Sequence, residues 1–134
     1  MKIHHIGYLV DNIENAINEF ERLGFSLIDE VTEDSSREIF IAFLDNDGLL
    51  IELIQSISET SPMHGLQKKY RNSPYHICYK TWNMQEELAY MVNNENGGYT
   101  VVQPPMPAPA IPGCPIVAFL MNRHIGIIEL VEME

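Results

Sequence analysis

The chain has 134 residues, 46% of them hydrophobic, enough to fill one compact domain or two small modules fused around one core. Its formal net charge of −11 repels phosphate-rich polymers, which argues against nucleic acid as a partner. No segment approaches spanning length, and MKIHHIGYLV is a short apolar run broken by two histidines, unlike a signal peptide or membrane span.

Two cysteines far apart in sequence, Cys78 and Cys114, follow no zinc or disulfide spacing, so a reducing cytoplasm is the expected location.

In chain order, a first strand over HHIGYLV leads into a helix with Asp11 as cap and Glu14 reaching back. Ile13, Ile17 and Phe20 give that helix one buried stripe, and Gly24 ends it. Short β-rich runs follow at 26–33, 37–44 and 48–57, with a turn at DNDG. Residues 58–74 form a linker in which Ser61 and Pro62 start a short helix with Met63, Leu66 and Tyr70 on its apolar side. The one basic cluster, KKYR at 68–71, reads either as a solvated helix face or as a contact for a phosphate of a small ligand.

The order then repeats. YHICYK is a strand, Asn83 and Glu86 form the next capping box, and Met84, Leu88 and Met91 form the stripe. The run Asn93 to Gly98 ends this helix, and strands are expected at 99–103, 115–121 and 125–133. Pro104 to Pro115, with six prolines, reads as an extended loop inside the second half. The chain is thus one domain of two βαβββ modules, 1–57 and 75–134, joined by 58–74.

Each module places a histidine in its first strand and a glutamate in its last: His5 and Glu52, then His76 and Glu129. An ionised carboxylate inside an apolar strand such as LLIELIQ or GIIELVE is unfavourable by several kcal/mol unless a cation or donors accompany it. If first and last strands lie side by side, each half offers one imidazole and one carboxylate, a set that suits a divalent metal with nitrogen and oxygen ligands. Gly7 and Cys78, two residues on from the histidines, share their face and leave room for a ligand.

These residues resemble the glyoxalase, or vicinal oxygen chelate, superfamily, with HIGYLVDNIENAINEFERLGF, IELIQ, HICYK and IIELVE in the order its paired modules require. The resemblance implies an α+β fold with a cupped eight-stranded mixed sheet. It also implies one divalent ion per chain (cobalt, nickel, manganese, zinc or magnesium) held by His5, Glu52, His76 and Glu129. Enolate chemistry on a small α-carbonyl compound and a homodimer follow from it too.

Of two enzymes of that superfamily the chain resembles methylmalonyl-CoA epimerases more closely, because Glu38 in REIFIAF falls where they carry a third-strand carboxylate; the resemblance implies Glu38 and Glu129 as candidate bases on opposite faces of an enolate of an acyl thioester. The chain departs from them in having Glu52 where many have glutamine, MNRHIG before the last strand, and the loop QPPMPAPAIPG. Glyoxalase I is the alternative enzyme, but its glutathione-holding arginine and asparagine are replaced by Leu9 and Ser56. The alternative of another class is a metal-free protein that sequesters a small molecule or antibiotic. Extradiol dioxygenases and fosfomycin-resistance enzymes use three ligands, which would leave Glu52 superfluous.

Overall fold

Both halves of the chain build the same succession of elements. The computed structural model describes residues 1–93 and 98–134. The first half holds β1 (Ile3–Leu9), α1 (Ile13–Arg22), β2 (Ser26–Asp34), β3 (Ile39–Asn46) and β4 (Leu49–Ser56). After α2 (His64–Tyr70) comes the second half, with β5 (Ser73–Thr81), α3 (Met84–Val92), β6 (Tyr99–Pro107), β7 (Ile116–Asn122) and β8 (Gly126–Glu132). The fold is α+β with an eight-stranded mixed sheet, whose halves run β2-β3-β4-β1 and β5-β8-β7-β6.

Two compact units divide the residues: His5–Tyr75, and Met1–His4 with His76–Glu134. The N-terminal residues join the second unit, where Lys80 N–H donates to the Lys2 carbonyl at 2.8 Å. Residues 58–74, expected as a linker, lie within the first unit. There the Gln67 Oε1 accepts from Ser56 N at 3.2 Å and Ser61 Oγ donates to the Arg37 carbonyl at 2.7 Å. α2 begins at His64 rather than at Ser61, and the side chain it buries is Gln67.

In the first unit, Ile13 and Ile17 of α1 form one core with Val10, Ala42, Leu44, Ile51 and Leu53. In the second, Met84 and Met91 of α3 pack with Ala118, Leu120, Ile128 and Leu130. The stripes of both helices therefore cover alternate residues of β4 and β8, and the intervening residues face the other side of the sheet.

The caps refine the sequence expectation. Asn83 caps α3, accepting from Glu86 N at 3.0 Å. For α1 the cap is Asn12, not Asp11: Asn12 Oδ1 accepts from Asn15 N at 2.9 Å. Asp11 instead exchanges hydrogen bonds with Asn72 and faces Arg71 at 3.6 Å. Asn93 caps the C-terminus of α3, while residues 94–97 of the expected terminating run lie outside the described residues.

β6 runs on to Pro107 and takes three prolines expected in a loop. β6 stands at the end of its half-sheet order, and an edge strand can accept residues that donate no backbone hydrogen bond. The ladder to β7 shifts register between Gln103 and Met106, where two of those prolines fall.

Replacing Asn12 by alanine should cost about 1 kcal/mol of stability, the usual worth of such a cap. Urea unfolding of Asn12→Ala and Asp11→Ala side by side checks this, the former being the more destabilised if Asn12 is the cap.

Candidate metal centre

The two modules position their histidine and glutamate by the same register. β1 runs parallel to β4 with Gly7 opposite Glu52, and β5 runs parallel to β8 with Cys78 opposite Glu129. Each histidine stands two residues before the small residue, on the same face of its strand. In the first unit His5 Nε2 lies 3.4 Å from Glu52 Oε1, and in the second His76 Nε2 lies 3.2 Å from Glu129 Oε1.

All four side chains are buried: His5 is 0% exposed, Glu52 6%, His76 3% and Glu129 2%. Opposite each glutamate, on the antiparallel neighbour, sits a phenylalanine: Phe43 faces Glu52 and Phe119 faces Glu129. Each ring meets its histidine edge to face, His5–Phe43 at 5.4 Å and His76–Phe119 at 5.2 Å. These contacts restrict the imidazole planes while keeping the Nε2 edges toward the carboxylates. Gly7 is buried and Cys78 fully so, and both leave little side-chain bulk beside the pairs.

The donor set fits a divalent cation. Imidazole nitrogen with carboxylate oxygen is the usual first-row mixture. Two donors about 2.1 Å from one ion and at right angles to each other stand about 3.0 Å apart, close to the separations in both pairs. Without a cation, two carboxylates buried to this degree carry a desolvation penalty that hydrogen bonding must offset.

The remaining site expectations fall elsewhere. Glu38 is not in a strand but ends the turn at 35–38, with φ 54. Asp34 organises that turn by accepting from Ser36 N, Ser36 Oγ and Arg37 N, which pulls the start of β3 back to Ile39. Ile39 precedes Phe43, the neighbour of Glu52, by four residues, about 14 Å along a strand. Glu38 thus stands before the first ladder partners of β3 and β4, Ile39 and Ser56. Its Oε1 accepts from Ser58 Oγ at 2.8 Å and Thr60 Oγ1 at 2.6 Å, and its carbonyl accepts from Ile57 N. The hydroxyls of Thr60 and then Ser58 hold the Glu38 carboxyl below its usual range, which makes it a weaker base.

Leu9 is fully buried opposite Ile54, so the position at which glyoxalase I enzymes are expected to carry a cation is part of the apolar core.

Sequence reasoning missed the links between site and helices. Ile13 N at the start of α1 donates to Gln55 Oε1 at 2.8 Å, and Met84 N at the start of α3 donates to Glu132 Oε2 at 2.7 Å. Gln55 and Glu132 stand three residues after Glu52 and Glu129 respectively. The signal was the repeat itself, since the spacing that relates His5 to His76 also relates Asn12 to Asn83 and Ile13 to Met84.

The hydroxyl bonds to Glu38 stabilise its ionised form, so their contribution to folding is fully present above about pH 4.5 and is lost as pH falls through the lowered value in the folded state. Wild type and Glu38→Gln should therefore converge in stability as pH falls below 4.5, which urea titrations between pH 3 and pH 7 would measure.

Residues 4–117 match the model of the glyoxalase/bleomycin resistance protein/dioxygenase superfamily. No curated protein matches the chain in sequence. Among solved structures, a hypothetical protein, BH1468, from Bacillus halodurans C-125 is similar with a TM-score of 0.84 and 25% identity, over 99% of this chain and 94% of that one. A methylmalonyl-CoA epimerase from Mycobacterium tuberculosis is similar with a TM-score of 0.81 and 19% identity, over 98% and 87%. A Streptomyces coelicolor methylmalonyl-CoA epimerase variant in complex with 2-nitronate-propionyl-CoA gives 0.77 and 21%, over 98% and 96%. At these identities the likeness to the epimerases is one of fold.

Proposed function

Because this chain belongs to the glyoxalase/bleomycin resistance protein/dioxygenase superfamily, we propose that it is a divalent-metal-dependent enzyme that removes a proton α to the carbonyl of an acyl thioester, in the manner of an epimerase. The observation that carries the proposal is the buried imidazole–carboxylate pair repeated at matching register in both modules. His5, Glu52, His76 and Glu129 would together hold one ion. When bound, that ion would supply Lewis acidity toward the substrate carbonyl, which acidifies the neighbouring C–H.

The chain's own residues do the rest. Phe43 and Phe119 hold the imidazoles edge-on, so little reorganisation is needed when a ligand arrives. Glu129, the most buried of the two carboxylates, is the candidate base. As a metal ligand it would be a weaker base, so it would have to detach or loosen to accept the α-proton. Glu38, held by two hydroxyls at the far end of β3, is assigned an anchoring role between the 35–38 turn and residues 57–60.

Purified protein should contain about one divalent ion per chain by mass spectrometry, lost in both His5→Ala and Glu129→Ala, and its chelation should lower the unfolding temperature. Protein that remains metal-free after reloading with each candidate ion would sink this reading.

With methylmalonyl-CoA in deuterium oxide, label should enter the α-carbon, and Glu129→Gln should reduce the rate by roughly 10²-fold or more, the usual worth of a positioned base. Glu38→Gln should still exchange; a folded Glu38→Gln protein without exchange would make Glu38 a base after all.

A further inference from the structure

We propose that a cavity of about 570 Å³ in the first unit, between the C-terminal end of β4, the start of α1 and α2, binds the phosphate-bearing part of a nucleotide-like small molecule. Its volume is that of a small-molecule pocket. Neither His5 nor Glu52 lines it.

Charge is concentrated there against the trend of the chain. With 8 lysines and arginines against 19 acidic residues, cations are scarce, yet Lys68 and Arg71 both line this one cavity. Lys69, their neighbour, lies instead over the Tyr70 ring at 5.4 Å. Arg71 ends α2 at φ 53, a backbone conformation that L side chains rarely adopt, which turns the chain at the cavity wall.

Gln67 supplies an independent observation. Gln67 is buried, with 9% of its surface exposed, and it lines the cavity. Its Oε1 accepts from Ser56 N, while its Nε2 has no hydrogen-bond acceptor among the described residues. A buried amide donor left in that state is costly, and an acceptor oxygen from a ligand would satisfy it.

The acidic residues on the lining set the kind of ligand. Asp11 faces Arg71 at 3.6 Å and also exchanges hydrogen bonds with Asn72. Glu59 also lines the cavity, so the formal charges of Lys68 and Arg71 are balanced before any ligand arrives. Bare phosphate gains little from such a lining. A ligand with phosphate for the cations and sugar hydroxyls for the carboxylates satisfies both, and a nucleotide has both.

That chemistry has two sources: the phosphorylated carrier arm of the acyl thioester, which rests on the function proposed above, or a separate nucleotide, which does not. The test is titration calorimetry of the purified protein with ADP and with coenzyme A, using Lys68→Ala, Arg71→Asn and, as a charge control, Arg22→Ala. Asparagine is chosen at 71 because it tolerates positive φ. Both variants at the cavity should weaken ADP binding roughly ten-fold, the order expected for one charge-assisted contact, and Arg22→Ala should leave it unchanged.

If ADP raises the KM for methylmalonyl-CoA, the cavity takes the carrier arm; if it binds without competing, the ligand is a separate nucleotide. ADP binding without any α-proton exchange supports the cavity while defeating the epimerase reading. Absence of binding by both probes, or binding untouched by Lys68→Ala and Arg71→Asn, overturns the proposal even where exchange is intact.

Discussion

A carboxylate buried in the middle of an apolar strand is the constraint around which each module is arranged. Glu52 and Glu129 give up water, and each gains an imidazole at 3.4 or 3.2 Å in its own module. That contact exists only because the first and last strands run parallel in a fixed register, Gly7 against Glu52 and Cys78 against Glu129. A slip of one residue would turn both carboxylates onto the helix-covered face, among Ile51, Leu53, Ile128 and Leu130. Register, core and site are therefore one specification.

The same strands also fix the helices. Orphan N–H groups at the starts of α1 and α3 find their acceptors on Gln55 and Glu132, three residues beyond the buried glutamates. Each helix is thereby pinned to the strand that carries the carboxylate, while its apolar stripe packs on that strand's other face. Glu132 as acceptor adds a negative charge at the positive end of α3, a favourable placement that Gln55 does not reproduce at α1. The two modules share a plan without being chemically identical, and Gly7 against Cys78 is a second such difference.

Residues 58–74 have more to do than connect modules. Through Gln67, Ser61, Thr60 and Ser58 they tie the end of β4 to the 35–38 turn, and through Asn72 and Arg71 they reach the entrance of α1. The cavity with Lys68 and Arg71 is a by-product of that bracing: three chain segments meet where β4 ends and leave space between them.

Much of this was legible in the sequence, because a repeat doubles every signal. The paired βαβββ order, both helix stripes, the Asn83 cap and the pairing of His5 with Glu52 and of His76 with Glu129 all follow from local pattern and its recurrence. What failed did so for tertiary reasons. Asp11 is as good a cap as Asn12 by residue type, and the choice was made by Asn72 and Arg71, far along the chain, which engage Asp11. Glu38 read as a strand residue until Asp34 drew three donors into a turn and Ser58 and Thr60 took its carboxylate. Prolines spelled a loop, whereas β6 at the end of its half-sheet order tolerates them. The sequence alone determined which residue types recur and at what spacing, since periodicity and capping are local. Only the tertiary structure decided which side chains meet, because a hydrogen bond between residues sixty positions apart leaves no mark on either neighbourhood.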